Sequence, residues 1–441
     1  MRDRAPPLLH HRSTARNPRV RRAGRSAGAD RATGACYEWG MRRVGWVALL
    51  AGLSAIFAAC SSHAPSAAPP PPFQHEAFYA TLESDADGFS IDHGDWLEDF
   101  GDAPFYGLAF YAHASREQAN DAWAARAEAA RQRALGLTTN ADLVNGDLQE
   151  MVMSTLGLID AMDARGDRAD IAVVDEFLDR LDELVKLIGW YIEVGADRSW
   201  ALKTYGPTSI SALIGLANLQ YAMLLGGDRK DDRIAWAKEM AQHIDEHAWN
   251  GTAYTFGLGR PGVLLYPNVA MMAMEARLFQ LTGDTAYRDR ARALYDAVQP
   301  LKLPTSPTRY YSEYSAADMG AKTRDYSTLS EHNYLVLALM LLYQVTGDRA
   351  FVDEADSVLD AFSTEVHGRW CLSDVHHETC TPGCAASTPC VGAACESDRC
   401  QNAVLHHWID GRPAMPSDPS FMCSGCNMQM LYVMWFRQKR L

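Results

Sequence analysis

The sequence predicts an all-α fold of five to six helical hairpins, and three observations carry that expectation. First, Gly-Asp turns recur: LLGGD ends at Asp228, LTGD at Asp284 and VTGD at Asp348, with a weaker DARGD ending at Asp167. Their spacing of about sixty residues is that of one long helical hairpin per repeat, and internal repeats decide a fold before single motifs do. Second, two of these turns are followed by the same apolar register. Tyr287, Ala291, Leu294, Tyr295 and Val298 follow Asp284 just as Phe351, Ala355, Val358, Leu359 and Phe362 follow Asp348. That is the stripe of a helix lying on a core. Third, the segments before the turns are apolar on every side. Residues 334–343 form an almost unbroken apolar run, and residues 210–225 are broken only by small or amide residues. A helix of that kind is buried all round. Each repeat therefore pairs a buried inner helix with a half-exposed outer one.

Taken in order, residues 105–137 form the first hairpin, with Asp102 and Pro104 as cap and first-turn residues. Residues 148–162 with 171–192 form the second, and 209–225 with 233–244 the third. Residues 267–281 with 286–298 form the fourth, and 331–345 with 351–362 the fifth. Residues 426–437 supply the inner helix of a sixth. Short strands are expected at 253–256 and 370–373. No linker divides residues 75–441, so they are expected to form one domain.

The N-terminus bears on location. Residues 1–40 are rich in Arg, Pro, Ser and Gly, without apolar periodicity, and are expected to be disordered or untranslated. Met41-Arg42-Arg43, an apolar run over residues 44–59 and then Cys60 have the organisation of a secretory signal, with an apolar run too short to span a membrane. Phe57-Ala58-Ala59-Cys60 resembles the bacterial lipobox, in which the cysteine is lipidated and becomes the mature N-terminus. Ser61 in place of Asp favours the outer membrane in that family of signals. Residues 60–74, rich in Ser, Ala and Pro, are a tether. The expectation is an exported protein, lipid-anchored to the bacterial cell envelope.

Eleven arginines and three acidic residues precede Cys60, so the 41 basic and 55 acidic residues of the chain leave the mature part with a net charge of −22. That argues against nucleic acid, which needs clustered Lys and Arg, and against charge-driven adhesion to anionic lipid. Apart from Cys36 and Cys60, the cysteines are Cys371, Cys380, Cys384, Cys390, Cys395, Cys400, Cys423 and Cys426. An even number in an oxidising compartment reads as disulfides within a stapled C-terminal loop, 371–426, of undetermined connectivity. Zinc is the competing reading, since Cys423 and Cys426 have ribbon spacing and His376, His377, His406 and His407 lie near.

Here the residues carry a resemblance. Asp325-Tyr326-Ser-Thr-Leu-Ser-Glu331-His332-Asn333-Tyr334, continuing through LVLALMLLYQVTGD to FVDEADSVLDAF, resembles a repeat of the six-hairpin glycosidase-like (α/α) toroids, and LTGDTAYRDRARALYDAV resembles another. That group contains glycosidases, unsaturated glucuronyl hydrolases, N-acyl-glucosamine epimerases and some polysaccharide lyases. The resemblance covers most of residues 97–440 and implies a toroid. Its motif reports hairpin geometry rather than chemistry.

Loop lengths give an independent pointer. The tight Gly-Asp turns lie at one end of the hairpins. The connections at the other end are long and rich in aromatic and polar residues: 192–209 with Trp200 and Tyr205, 250–268 with Tyr266 and Asn268, and 301–333 with Tyr310, Tyr311 and Tyr326. Loops of that length in a compact domain are usually functional. In toroids of the resembled kind this rim carries the substrate funnel, so a saccharide or glycan is the expected partner and those seven residues its expected contacts. Glycoside hydrolysis needs two carboxylates across the scissile bond. The rim offers Asp102, Asp147, Glu313, Asp325 and Glu331, the first two of which stand where helix caps belong. Glu331 and His332 open a buried helix, where a charge is costly unless it has a partner or a task. Glu331 is the first choice for acid/base work, with Asp325, Glu313 and His332 beside it. A lyase or epimerase would instead draw its base from Tyr310, Tyr326 or His332. A non-catalytic saccharide-binding or scaffold lipoprotein is the further alternative. No cofactor or metal is expected: the acidic stretch from Glu83 to Gly88 lacks a carboxylate at the twelfth position of a calcium loop, Gly94.

Overall fold

The turns between helices repeat one piece of backbone chemistry. In the computed structural model, Gly283 (φ +71°) and Gly347 (φ +72°) each end a helix, and their N–H groups reach the carbonyls of Phe279 and Tyr343. Glycine enters that left-handed region without the clash a Cβ would suffer. The following aspartate caps the next helix. Asp284 accepts the N–H of Ala286 at 3.0 Å and Asp348 that of Ala350 at 3.1 Å. Thr282 and Thr346 complete the two turns in the same way, each accepting the aspartate N–H at 3.2 Å. The LLGGD turn departs from this plan: Gly227 takes the cap position and Asp228 is already helical.

The structure describes residues 69–84, 102–118, 120–139, 148–188, 206–257, 262–315, 318–324, 327–371, 400–404, 407–409, 412–413 and 424–441. They belong to one compact unit, Ala64–Leu441. The basic segment, the signal and Cys60 lie outside the described residues. After a short helix α1 (Glu76–Ser84), inner and outer helices alternate. The inner ones are α2 (Asp102–Gln118), α4 (Leu148–Arg165), α6 (Gly206–Leu224), α8 (Leu265–Thr282), α10 (Leu329–Thr346) and α12 (Ser424–Arg440). The outer ones are α3 (Asp121–Thr138), α5 (Ile171–Ile188), α7 (Asp228–Ala248), α9 (Thr285–Val298) and α11 (Arg349–Ala361). Each inner helix packs against the next, and α12 packs against α2, which closes the ring. The fold is an α/α toroid. Helix α1 packs against α12.

Burial follows the pattern of the sequence. Every residue of α10 from Leu329 to Tyr343 is buried, whereas α11 buries Phe351, Ala355, Val358 and Leu359 and leaves its opposite face to solvent. Inner helices approach closely where a side chain is missing: a Cβ on Gly215 of α6 would lie 2.3 Å from the Met274 terminal methyl of α8.

Two expectations are corrected. The end of the tether, residues 71–74, is docked rather than free. Arg437 donates to the Pro71 carbonyl at 2.9 Å, pairs with both oxygens of Asp356 at 2.8 Å and lies over the Phe73 ring. Phe73 supplies the reason, because an aromatic ring in a Ser/Ala/Pro stretch has apolar area to bury. The strands are also more numerous than expected. β1 (Val263–Leu264), β2 (Glu313–Ser315) and β3 (Asp318–Arg324) form one antiparallel sheet; β4 (Ser327–Thr328), β7 (His407–Ile409) and β8 (Arg412–Pro413) form another. β5 (His367–Cys371) pairs with β6 (Cys400–Val404), which puts Cys371 opposite Cys400 in the register. Residues 253–256 contribute only an isolated bridge from Tyr254 to Trp249. Strands of two or three residues are too short to show alternation in sequence. Cys426 is buried and disulfide-bonded; Cys380, Cys384, Cys390, Cys395 and Cys423 lie outside the described residues.

Candidate functional site

The described parts of the connections before α8 and α10 meet the first turns of those helices at one rim. There β1, which leads directly into α8, pairs with β2 from the connection before α10, with Val263 opposite Tyr314 and Leu264 opposite Glu313. Several polar residues expected to meet substrate hold this architecture together instead. Asn268 accepts the Tyr254 N–H at 2.8 Å and donates to the carbonyls of Tyr254 and Leu264 at 2.9 and 2.8 Å. His332 accepts the Tyr310 N–H on Nε2 at 3.0 Å, and its Nδ1 lies 2.7 Å from the Thr328 carbonyl. Burial pushes its ring down to about 4, so the imidazole is neutral near pH 7 with both nitrogens engaged by backbone. The Tyr310 hydroxyl bonds Glu354 on outer helix α11 and Gln299, and Lys302 closes on Glu354 at 2.9 Å. Asn268, His332 and Tyr310 thus act as fasteners between loop and helix. Their polarity at a rim suggested ligand contact; their burial, invisible in sequence, gives them backbone partners or, for the Tyr310 hydroxyl, the side chains of Glu354 and Gln299.

Glu331 is placed differently. It is buried in the first turn of α10 and accepts from the Ser312 hydroxyl, which lies 2.8 Å from that of Thr328. At 3.6 residues per turn Glu331 lies one turn before Tyr334 and about 60° around the helix from it; Tyr334, Leu337 and Leu341 are the side chains of α10 that line the void on the ring's axis. Glu313 is the residue after Ser312 and turns elsewhere, over Gly262: a Cβ at that glycine would lie 2.0 Å from the Glu313 Oε1. Tyr311 is half-buried, its N–H on the Leu301 carbonyl at 2.9 Å. Trp200, Tyr205, Asp325, Tyr326 and Asp147 lie outside the described residues, as does the side chain of Asp102, the first residue of α2.

One turn deeper, four inner helices converge on the axis. The hydroxyls of Tyr106 (α2) and Tyr334 (α10) share a short hydrogen bond, and Gln429 (α12) donates to Tyr106 at 2.9 Å. Asn333 donates to Gln429 at 3.3 Å and to the Cys426 carbonyl at 2.8 Å. The ring of Tyr266 (α8) packs edge-on against Tyr334, with centroids 4.7 Å apart. The result is a buried polar layer across the toroid, with Glu331 at its rim side. Sequence inspection singled out Tyr266 alone of these. The signal for the others was the tyrosine or amide interrupting an apolar inner helix, where an unpaired polar group is costly. A second cluster went unnoticed as well. On outer helix α7, His243, Glu246 and His247 bring ligand-type atoms within 4.8 Å of one another, a consequence of their i, i+3, i+4 spacing.

No protein-family model matches the chain, and no curated protein matches it. Solved structures do. A D-mannose isomerase superposes with a TM-score of 0.58 at 11% identity, over 85% of this chain and 100% of that one. A sugar epimerase from a ruminal bacterium gives 0.49 at 11% identity over 75% and 87% of the two chains. An α-1,6-mannanase of Salegentibacter gives 0.43 at 15% identity over 53% and 69%. At such identities the first match shows the fold, the α/α toroid that the hairpins build.

Proposed function

We propose that this toroid is an enzyme that acts on a saccharide at its long-loop rim, with Glu331 as the acid/base group. One observation carries the reading: a buried carboxylate, held by the Ser312 hydroxyl, opens an apolar inner helix at the long-loop rim, one turn before Tyr334 of the layer of tyrosine hydroxyls and amides. Such groups suit a sugar, whose hydroxyls donate and accept while its apolar face rests on aromatic rings. A carboxyl removed from water is also where proton-transfer chemistry is tuned. The carboxylate reading is preferred to a Tyr/His base because His332 and Tyr310 are engaged elsewhere.

Two chemistries fit this site. Hydrolysis needs a second carboxylate across the scissile bond, a role for which Asp325 is our candidate. Isomerisation of an open-chain aldose moves one proton from C2 to C1 and another from the C2 hydroxyl to the C1 oxygen; Glu331 is our candidate for the first transfer, and the second needs a further hydroxyl or water to relay it. The second reading is favoured by Glu313, which turns away over Gly262, and is in keeping with the sugar isomerase whose full length this chain covers. Incubating the full chain with a panel of free aldoses and of oligosaccharides separates them: ketose formation marks the isomerase, and release of new reducing ends the hydrolase. Absence of both, together with saturable saccharide binding, would leave a binding module.

We also propose export as a lipoprotein, from the lipobox-like sequence before Cys60. The mature protein should fractionate with membranes, and Cys60→Ser should release it or leave the precursor uncleaved. A Cys60→Ser protein that is still mature and membrane-bound would overturn this.

A further inference from the structure

At the opposite end of the ring, among the last turns of α4, α6, α8, α10 and α12, a cavity of about 440 Å³ opens beside the tight turns. Its volume lies in the range of small-molecule sites. The charges around it are unequally paired. Asp160 lies 2.8 Å from His113 Nε2 through one oxygen and accepts from the Tyr432 hydroxyl at 3.2 Å through the other. Burial raises its carboxyl, but His113 and Arg440 outweigh burial and hold it below the usual carboxylate range. Asp163 pairs with Arg440 at 2.9 Å. Trp435 has its faces covered by His113, stacked at 3.9 Å, and by Arg440.

Arg277 is the exception. Its Nη1 donates to Gln280 at 2.6 Å, its Nε is buried without a hydrogen-bond partner, and no carboxylate lies within ion-pair distance of it among the described residues. Burial lowers its pKa, and the nearby Tyr432, Asp160 and Asp163, the two carboxylates already paired with His113 and Arg440, offset that only in part. It lines both this cavity and a small void of about 20 Å³ that continues along the axis to Tyr106 and Tyr334. Gln220 and Gln344 stand in the same wall, and Met223, half exposed, is at the mouth.

We propose that this cavity binds a small hydroxylated carboxylate, a sugar acid, on Arg277. A guanidinium fork matches a carboxylate with two parallel hydrogen bonds. The ligand's charge would offset that of a half-buried cation which has no ion-pair partner of its own among the described residues. The Gln220 amide donates and accepts, as hydroxyls require, and Gln344, whose Oε1 accepts from Gln280 at 3.2 Å, offers its amide N–H groups. Nothing in this assignment depends on the chemistry at the long-loop rim.

Calorimetric titration of the full chain with D-gluconate, against D-glucose, acetate and inorganic phosphate, tests it. Gluconate should bind at one site per chain, about tenfold or more tighter than the other three, since a hydrogen bond to a charged group commonly contributes that much. Arg277→Met should weaken gluconate by a similar factor. Met223→Trp, at the exposed mouth and away from buried charge, should obstruct entry in a chain that folds normally. Glu331→Gln should bind gluconate as the wild type does. Equal affinity for glucose or phosphate, wild-type binding by Met223→Trp and Arg277→Met, or loss of gluconate binding in Glu331→Gln would each overturn the assignment.

Discussion

The two rims of the toroid differ in the opposite sense to their loop lengths. At the long-loop rim, polar residues are abundant, yet Asn268, His332 and Tyr310 are engaged by backbone or by an outer helix. At the tight-turn rim the connections are minimal, yet Arg277 stands beside an open cavity with donor capacity to spare. The lesson is that loop length and composition say where polar groups accumulate. Free hydrogen-bonding capacity says where a ligand can be held, and it depends on what folding has already satisfied.

The largest effect that would sharpen this contrast is at Glu331. If it is the working group at the long-loop rim, Glu331→Gln should lower turnover of the identified saccharide by about a hundred- to ten-thousand-fold. Far-ultraviolet circular dichroism and the unfolding midpoint should barely change. A variant that unfolds would make Glu331 another fastener, and the rims would then differ less than described here.

The next effect concerns Arg437, near the end of α12. Its side chain is 2% exposed, pairs with Asp356 and holds the Pro71 carbonyl. Arg437→Met strands a carboxylate and releases the N-terminal segment, so urea unfolding should show a loss of about 3 kcal/mol or more. Limited proteolysis should then cut near residue 71 faster. Unchanged proteolysis would mean that the docked segment stands without this contact.

A pH effect of intermediate size is expected in α8, which runs from one rim to the other. Burial, with Asp245 adding to it against Arg290, pushes the Glu275 carboxyl up to about 8. A folded pKa above the unfolded one means the native state keeps its proton while the unfolded chain loses it. Stability is therefore full below about pH 4.5 and falls as the pH rises through 8. Glu275→Gln should remove that fall, so the variant gains on the wild type as pH increases. Parallel stability-against-pH curves would refute the placement of Glu275.

The smallest effects test the tight turns. A Cβ on Gly283 meets nothing within 4 Å, so Gly283→Ala carries only the backbone cost of φ +71°, about 1 kcal/mol. Removing the cap with Asp284→Ala should cost a similar amount, about 1 kcal/mol, and Asp348→Ala should match it, since the two turns are built alike. A large difference between the two aspartates would break their equivalence.

Much of the fold was legible in the sequence because it is local. A Gly at the left-handed cap and an Asp at the next cap act within four residues, and the stripe from Phe351 to Phe362 reports a single buried face. Residues 334–343 announced an inner helix by leaving no polar face at all. The short strands escaped notice because β1 and β4 have two residues each, and their partners lie tens of residues away. The site was legible only in part. Glu331 stands out in the sequence as a charge opening an apolar helix, whereas Tyr106, Tyr334 and Gln429 become a layer only when three helices close on the axis.

The sequence by itself determined the repeat, the alternation of inner and outer helices and the chemistry of each tight turn, because those depend on neighbours along the chain. Tertiary structure alone decided that α12 meets α2 and packs against α1, that His332 and Asn268 hold loops, and that Arg277 is left without an ion pair among the described residues. Each of these is set by which groups from distant segments arrive within hydrogen-bond range. A buried donor's partner is fixed by the closing of the ring and not by its position in the chain.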